Sequence, residues 1–167
     1  RQRQMCIRDR IQKGNKNKIK IDDPLVITAG AATGKLIGGN LSLLISMIGT
    51  AHEINWADHI VFIEEVGEST YRIDRMLTQL RAAQKFKGIK GIALGHFTRC
   101  DAQPGDPYYE FSTSLSEVFK DRLGDLGIPV MGGFPFGHEE NNATLPIGIR
   151  ATMDTEKGVL KLLESAV

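Results

Sequence analysis

The chain predicts an α/β layered domain with mixed parallel and antiparallel strands. Three features carry that expectation: apolar β-branched runs, amphipathic helices lying between them, and a C-terminal pair of strands around a tight turn. Helices and strands do not alternate strictly, which argues against a doubly wound parallel sheet. The length of 167 residues, with 41% hydrophobic and 25% charged side chains, suits one folded domain with one core.

Residues 1–20 carry eight Lys or Arg and one Asp, a net of +7, whereas the remainder holds a net of −6. The whole-chain value of +1 therefore averages a basic start and a mildly acidic body. The start shows no cap and no apolar period, so residues 1–20 read as a disordered or artefactual basic tail. RQMCIRDR within it resembles spurious translation of sequencing-adapter DNA. A functional arm for RNA or anionic lipid is the competing reading. From Pro24 the run LVITAGAATGKLIGGN predicts a hairpin or two short strands. Asn40 then caps a helix, NLSLLISMIG, with Leu41, Leu44, Ile45 and Ile48 on one face and Gly49 as its stop, expected to be buried on most sides.

IVFIEEV, residues 60–66, is a continuous apolar strand ending in Glu64 and Glu65. YRIDRMLTQLRAAQKF places Ile73, Met76, Leu77 and Leu80 on one helical face, with Arg72, Arg75 and Arg81 outward. The strand KGIALGHF follows, then the loop DAQPGDPYYE, of a kind that is often functional. SLSEVFKDRLGDLGIP predicts a helix capped by Ser114 or Ser116, with Leu115, Val118, Phe119 and Leu123 inward. PVMGGF is a strand, FPFGHEENNATLP a turn-rich segment, and IGIRATMD with GVLKLL a hairpin around TEKG.

No run approaches the roughly 18 apolar residues of a membrane span, and no secretory leader is visible. The expectation is a cytoplasmic protein with no membrane partner. Cys6 and Cys100 have no metal-ligand spacing and are too few for a disulfide scaffold. The acidic body offers no footprint for nucleic acid.

Adjacent strand residues point to opposite faces, so Glu64 and Glu65 cannot share one environment. Composition alone suggests one solvated carboxylate and one held in a salt bridge. His138, in a Gly-Pro-rich turn after a strand, can stand reachable at a sheet edge. With a carboxylate beside it, such a His forms the base half of a nucleophilic triad. His52 and His59 read as surface residues. His96 and Cys100 are four apart, but no second pair completes a metal site. Gly38, Gly39 and Asn40 precede a helix and could bind an anion, although close packing explains the glycines better and no nucleotide motif is present.

LIGGNLSLLISMIGT, VFIEEVGESTYRIDRMLTQL, GIALGHF and GIPVMGGFPFGHEENNATLPIGIRATMD, in this order, resemble the C-terminal domain of the LD-carboxypeptidases, or muramoyltetrapeptide carboxypeptidases. That family includes the microcin C immunity peptidases. The resemblance covers roughly residues 24–163 and implies a three-layer β/β/α swivelling domain over residues 21–167. It implies that Glu64 and His138 are the Glu and His of a Ser-Glu-His triad, with Glu65 in a supporting or surface role. The nucleophile is expected from an N-terminal domain outside this chain, so the chain alone is expected to be inactive. The implied substrate is murein tetrapeptide, cleaved between meso-diaminopimelate and terminal D-alanine during peptidoglycan recycling. No metal or organic cofactor is implied, and a homodimer is expected. A microcin-type peptidase acting on a peptidyl-nucleotide antibiotic, and a non-catalytic interaction module, are the alternatives.

Overall fold

A computed structural model of the chain describes residues 18–102, 105, 109 and 112–164. Eight strands form one mixed sheet: β1 (Lys18–Lys20), β2 (Leu25–Thr28), β3 (Ala31–Asn40), β4 (His59–Val66), β5 (Gly91–Thr98), β6 (Val130–Gly132), β7 (Arg150–Asp154) and β8 (Val159–Leu162). Their order is β1-β8-β7-β3-β4-β5-β6-β2. Strands β3 to β6 are mutually parallel, and the pairings outside them are antiparallel.

The two ends of this order are close in sequence. Lying flat, eight strands about 4.8 Å apart would separate β1 from β2 by roughly 34 Å. Yet Ile21–Pro24 join them, and five Cα steps span at most about 18 Å. The sheet must therefore curl until its antiparallel half covers one face of its parallel half. The link sits at the seam: Ile21 N–H donates to the Gly158 carbonyl at 2.8 Å, and Gly133 lies against the Ile21 side chain.

One core fills the curl and contains Leu36, Ile60, Phe62, Met131, Phe134, Phe136, Met153 and Leu160, together with Ile19 of β1. The second core lies on the opposite face of the parallel strands, beneath three helices. These are α1 (Leu41–Ser46), α2 (Thr70–Ala82) and α3 (Leu115–Leu123). The layers are thus antiparallel strands, parallel strands and helices, the expected β/β/α order built from one continuous sheet.

Local chemistry explains most boundaries. Asn40 caps α1 by accepting the Leu43 N–H, and Ser114 forms a reciprocal capping box with Glu117 at α3. Ile73, Met76, Leu77 and Leu80 are buried as their spacing predicts. Arg81 is not fully outward. It forms a bidentate pair with Asp125 beyond α3, and Arg122 of α3 reaches back to Asp74 of α2.

The structure departs from several expectations. Lys18–Lys20, assigned to the basic tail, form β1 because alternating Lys-Ile-Lys buries Ile19 while pairing with β8. Residues 1–17 of that tail lie outside the described residues. Of the two readings of the run after Pro24, two strands form and the hairpin does not: β2 pairs with β6, whereas β3, ten residues long, pairs with β4 and β7. α1 ends at Ser46, short of Gly49, and only one face is covered: Leu41 and Leu44 are buried, while Leu43 is 65% exposed. Most of the loop DAQPGDPYYE also falls outside the described residues.

Candidate active site

β4 alternates faces to its end. Ile60 and Phe62 lie in the core within the curl, Val61 and Ile63 in the core beneath the helices. The same alternation sends Glu64 and Glu65 to opposite sides of the sheet. Both are buried, contrary to the expectation of one solvated carboxylate and one in a salt bridge.

Glu65 is 2% exposed and faces α1. Its Oε1 accepts Asn40 Nδ2–H at 2.7 Å and the Val66 N–H at 2.8 Å. Its Oε2 accepts the Ser42 N–H at 2.8 Å and the Ser42 hydroxyl at 2.7 Å. Burial pushes this carboxyl's pKa upward, but the Ser42 hydroxyl, the Val66 N–H and the Asn40 amide outweigh it and hold the value below normal. Neutral donors, not a cation, satisfy the charge. The side chain also occupies the start of α1, where an anion could otherwise have bound. Gly38 serves packing: a side chain there would overlap the backbone of Phe62 on the neighbouring strand.

Glu64 faces the other way, and Oε2 lies 2.8 Å from His138 Nδ1. The Glu64 side chain is 12% exposed and that of His138 51% exposed. Since a carboxylate only accepts, Nδ1 carries the proton in this contact, and a neutral imidazole then keeps its lone pair on Nε2. Glu64 thus sets the tautomer of a ring whose body remains open to solvent.

Three features bring residues 74 apart in sequence together. The register between β4 and β5 shifts at this point: Ile63 faces Leu94, but Glu65 faces Phe97. One extra residue in β5 makes a bulge opposite Glu64, a device that re-aims side chains at a sheet end. The segment Phe134–His138 then continues along β5, with the Phe134 N–H donating to the Leu94 carbonyl and the His96 N–H to the Phe136 carbonyl at 2.8 Å. Gly95 permits that approach, because a β-carbon there would overlap both the Phe136 ring and its carbonyl oxygen.

Phe136 is the anchor. It packs edge-on against Phe62 at 5.6 Å and stacks with Phe134 at 5.7 Å. Phe62 and Phe136 stand two residues before Glu64 and His138, so this contact aligns the pair that follows. Gly137, at φ +132°, keeps the space beside the carboxylate open; a β-carbon there would lie 3.3 Å from Glu64 Oε2. Beyond His138, Thr98 donates to Glu139 at 2.7 Å and Asn142 donates to the Gly137 carbonyl, closing the turn.

A separate cleft of about 750 Å³ lies between the start of α2, residues 99–102 and α3, lined among others by Ser69, Asp74, Arg99, Asp121 and Arg122. Neither Glu64 nor His138 lines it. Among the described residues no group of three or more His, Cys, Asp or Glu is placed to hold a metal ion. Cys100 is buried and stands apart as a free thiol.

Fold and site together define the class: a curled β/β/α domain with a Glu-oriented His at the rim of its parallel strands. Residues 33–153 match the LD-carboxypeptidase C-terminal domain, and the chain belongs to that family. A relative from Synechocystis sp. is 46% identical over 134 residues, covering 80% of this chain and 43% of that protein. The murein tetrapeptide carboxypeptidase of Pseudomonas aeruginosa is 34% identical over 122 residues, covering 72% of this chain and 38% of its own length. The crystal structure of muramoyltetrapeptide carboxypeptidase from Oxalobacter formigenes superposes with a TM-score of 0.69 at 33% identity, covering 87% of this chain and 47% of that one. The microcin C7 self-immunity protein MccF of Escherichia coli is 30% identical over 140 residues, covering 81% of this chain and 38% of MccF. The chain thus spans about two-fifths of the length of these curated relatives. Among the described residues, no helix is long and apolar enough to cross a membrane.

Of the two roles expected for Glu65, supporting or surface, its burial and four hydrogen bonds fit the supporting one, whereas the need for glycine at position 95 was not expected. The signal for Gly95 was a glycine inside a strand, and the donors for Glu65 were a capping Asn40 followed by Ser42.

Proposed function

We propose that the chain is the base-bearing C-terminal domain of a serine-type LD-carboxypeptidase, which hydrolyses the amide between meso-diaminopimelate and terminal D-alanine of murein tetrapeptide. The observation that carries this reading is the 2.8 Å contact between Glu64 Oε2 and the Nδ1 of a half-exposed His138. It is supported by family membership and by the similarity to a murein tetrapeptide carboxypeptidase. The nucleophilic Ser comes from an N-terminal domain outside this chain, in keeping with the two-fifths of the relatives' length that the chain spans. The complete enzyme works in the cytoplasm, in peptidoglycan recycling, as a homodimer.

In this mechanism His138 Nε2 takes the seryl proton as the oxygen attacks the scissile carbonyl. Glu64, hydrogen-bonded to Nδ1–H, stabilises the imidazolium that results. His138 then returns the proton to the departing D-alanine amine, leaving an acyl-enzyme. A water, deprotonated by the same Nε2, releases the shortened peptide and restores the serine.

Similarity to MccF supports a second reading, a peptidase that opens the acyl linkage of a peptidyl-nucleotide antibiotic with the same pair. The test joins this chain to the N-terminal part of the Pseudomonas aeruginosa relative and assays both substrates. D-alanine release from murein tetrapeptide supports the first reading, cleavage only of the peptidyl-nucleotide the second. Hydrolysis of neither, by a folded chimera, would favour a non-catalytic interaction module.

A further inference from the structure

The geometry points to Glu65 as a positioning residue for the Glu64–His138 pair, clamping the end of β4 so that Glu64 presents its carboxylate to the imidazole. The inference rests on reading that pair as the catalytic base and concerns a residue outside it. Strand β4 needs such a clamp. On its β3 side Glu64 lies opposite Asn40, but on its β5 side the register breaks at Glu64, where the bulge intervenes. The ladder that would hold both edges of the strand is therefore interrupted at the residue whose orientation matters.

Glu65 replaces the missing constraint through its side chain. Its two oxygens accept four hydrogen bonds from three places: Asn40 at the end of β3, the backbone and hydroxyl of Ser42 in the first turn of α1, and the Val66 N–H of its own strand. Neighbouring strand and helix are thus tied to one side chain, and the adjoining peptide unit carries Glu64. The charge matters as well as the shape. Oε1 and Oε2 each receive one backbone N–H, from Val66 and Ser42 respectively. An isosteric amide must turn its NH2 toward one of those N–H groups, leaving two donors facing each other. The Ser42 hydroxyl could rotate away, but a backbone N–H cannot.

The test uses the 167-residue chain labelled with ¹⁵N-histidine and reads the His138 tautomer from its imidazole nitrogen shifts and couplings. In the unsubstituted chain His138 is held as the Nδ1–H tautomer by Glu64. Glu65→Gln should lose most of that population, giving the mixed tautomers of an unrestrained imidazole, while the amide spectrum of α2 and α3 stays folded. Ser42→Ala removes one of the four donors and should shift the population in the same direction, by less. It serves as the deciding variant if Glu65→Gln does not fold. Glu64→Ala, which removes the acceptor altogether, is the reference for complete loss. Folded Glu65→Gln and Ser42→Ala chains that keep the unsubstituted tautomer, while Glu64→Ala loses it, would overturn the positioning role and leave the pair intact. If Glu64→Ala itself leaves the tautomer unchanged, the pair reading fails instead.

Discussion

Replacing Gly95 with alanine should separate His138 from Glu64 without touching either. A β-carbon at position 95 would overlap the Phe136 ring and also the Phe136 carbonyl oxygen. The ring could yield by a change of rotamer. The carbonyl cannot, because it accepts the His96 N–H at 2.8 Å and lies two residues from His138. The methyl group must therefore push the Phe134–His138 segment off β5. Overpacking of a filled core costs about 1–3 kcal/mol and loss of one backbone hydrogen bond about 0.5–1.5 kcal/mol, so a total of about 1.5–4.5 kcal/mol is expected. Urea unfolding measures that loss, and the ¹⁵N-imidazole spectrum reports whether Nδ1–H is still held. Phe136→Ala provides the control: on its own it should cost roughly 3–5 kcal/mol as a buried ring is lost. Combined with Gly95→Ala it should not restore the tautomer, since the carbonyl overlap persists. A Gly95→Ala chain with unchanged stability and an unchanged His138 tautomer would refute the role assigned to the bulge.

The buried carboxylate and the buried thiol give two further predictions. Burial opposes the charge on Glu65, yet the hydroxyl, backbone and amide donors hold its folded pKa below its ordinary value near 4.5. The folded chain thus binds this proton less tightly than the unfolded chain. The stabilisation is complete above the ordinary value and fades as pH falls toward and through the folded one. The stability difference between the unsubstituted chain and Glu65→Gln, from urea titrations at several pH values, should shrink on acidification below about pH 4.5; a difference independent of pH would contradict the charged network. Burial likewise raises the Cys100 thiol above its usual range. In a Cys6→Ser chain at pH 8, a thiol-specific disulfide reagent should react slowly when the chain is folded and rapidly in urea. Equal rates in the two states would show that the thiol is accessible.

How much was visible beforehand differs between elements for physical reasons. The strand carrying Glu64 is legible because an apolar run ending in charge has few other uses, and α2 is legible because its period of 3.6 spans three turns. The hairpin of β7 and β8 is local, so its turn residues suffice. Strand partners are another matter: β2 reads as a strand, but nothing in LVIT says that it pairs with β6 some 100 residues later. Lys18–Lys20 are three residues within a basic stretch, and only their pairing with β8 makes them a strand. At the site, the residue types of Glu64 and His138 suggested an acid and a base, while their pairing came from family resemblance. Their meeting depends on a one-residue bulge and a glycine, which leave no periodic trace. Glu65 was the hardest to place, because a carboxylate at a strand end ordinarily faces water. Here Asn40 and Ser42, more than 20 residues earlier, supply the donors that make its burial tolerable.

We propose that His138, oriented by Glu64, is the base of a carboxypeptidase whose nucleophile lies in another domain. The most direct measurement is D-alanine release from purified murein tetrapeptide by the chimera with the N-terminal part of the Pseudomonas aeruginosa relative, with and without His138→Ala. The chimera should release D-alanine, the isolated 167 residues none, and the His138→Ala chimera should lose on the order of 10⁴-fold or more. Undiminished release by that variant, or release by the isolated chain, would contradict it.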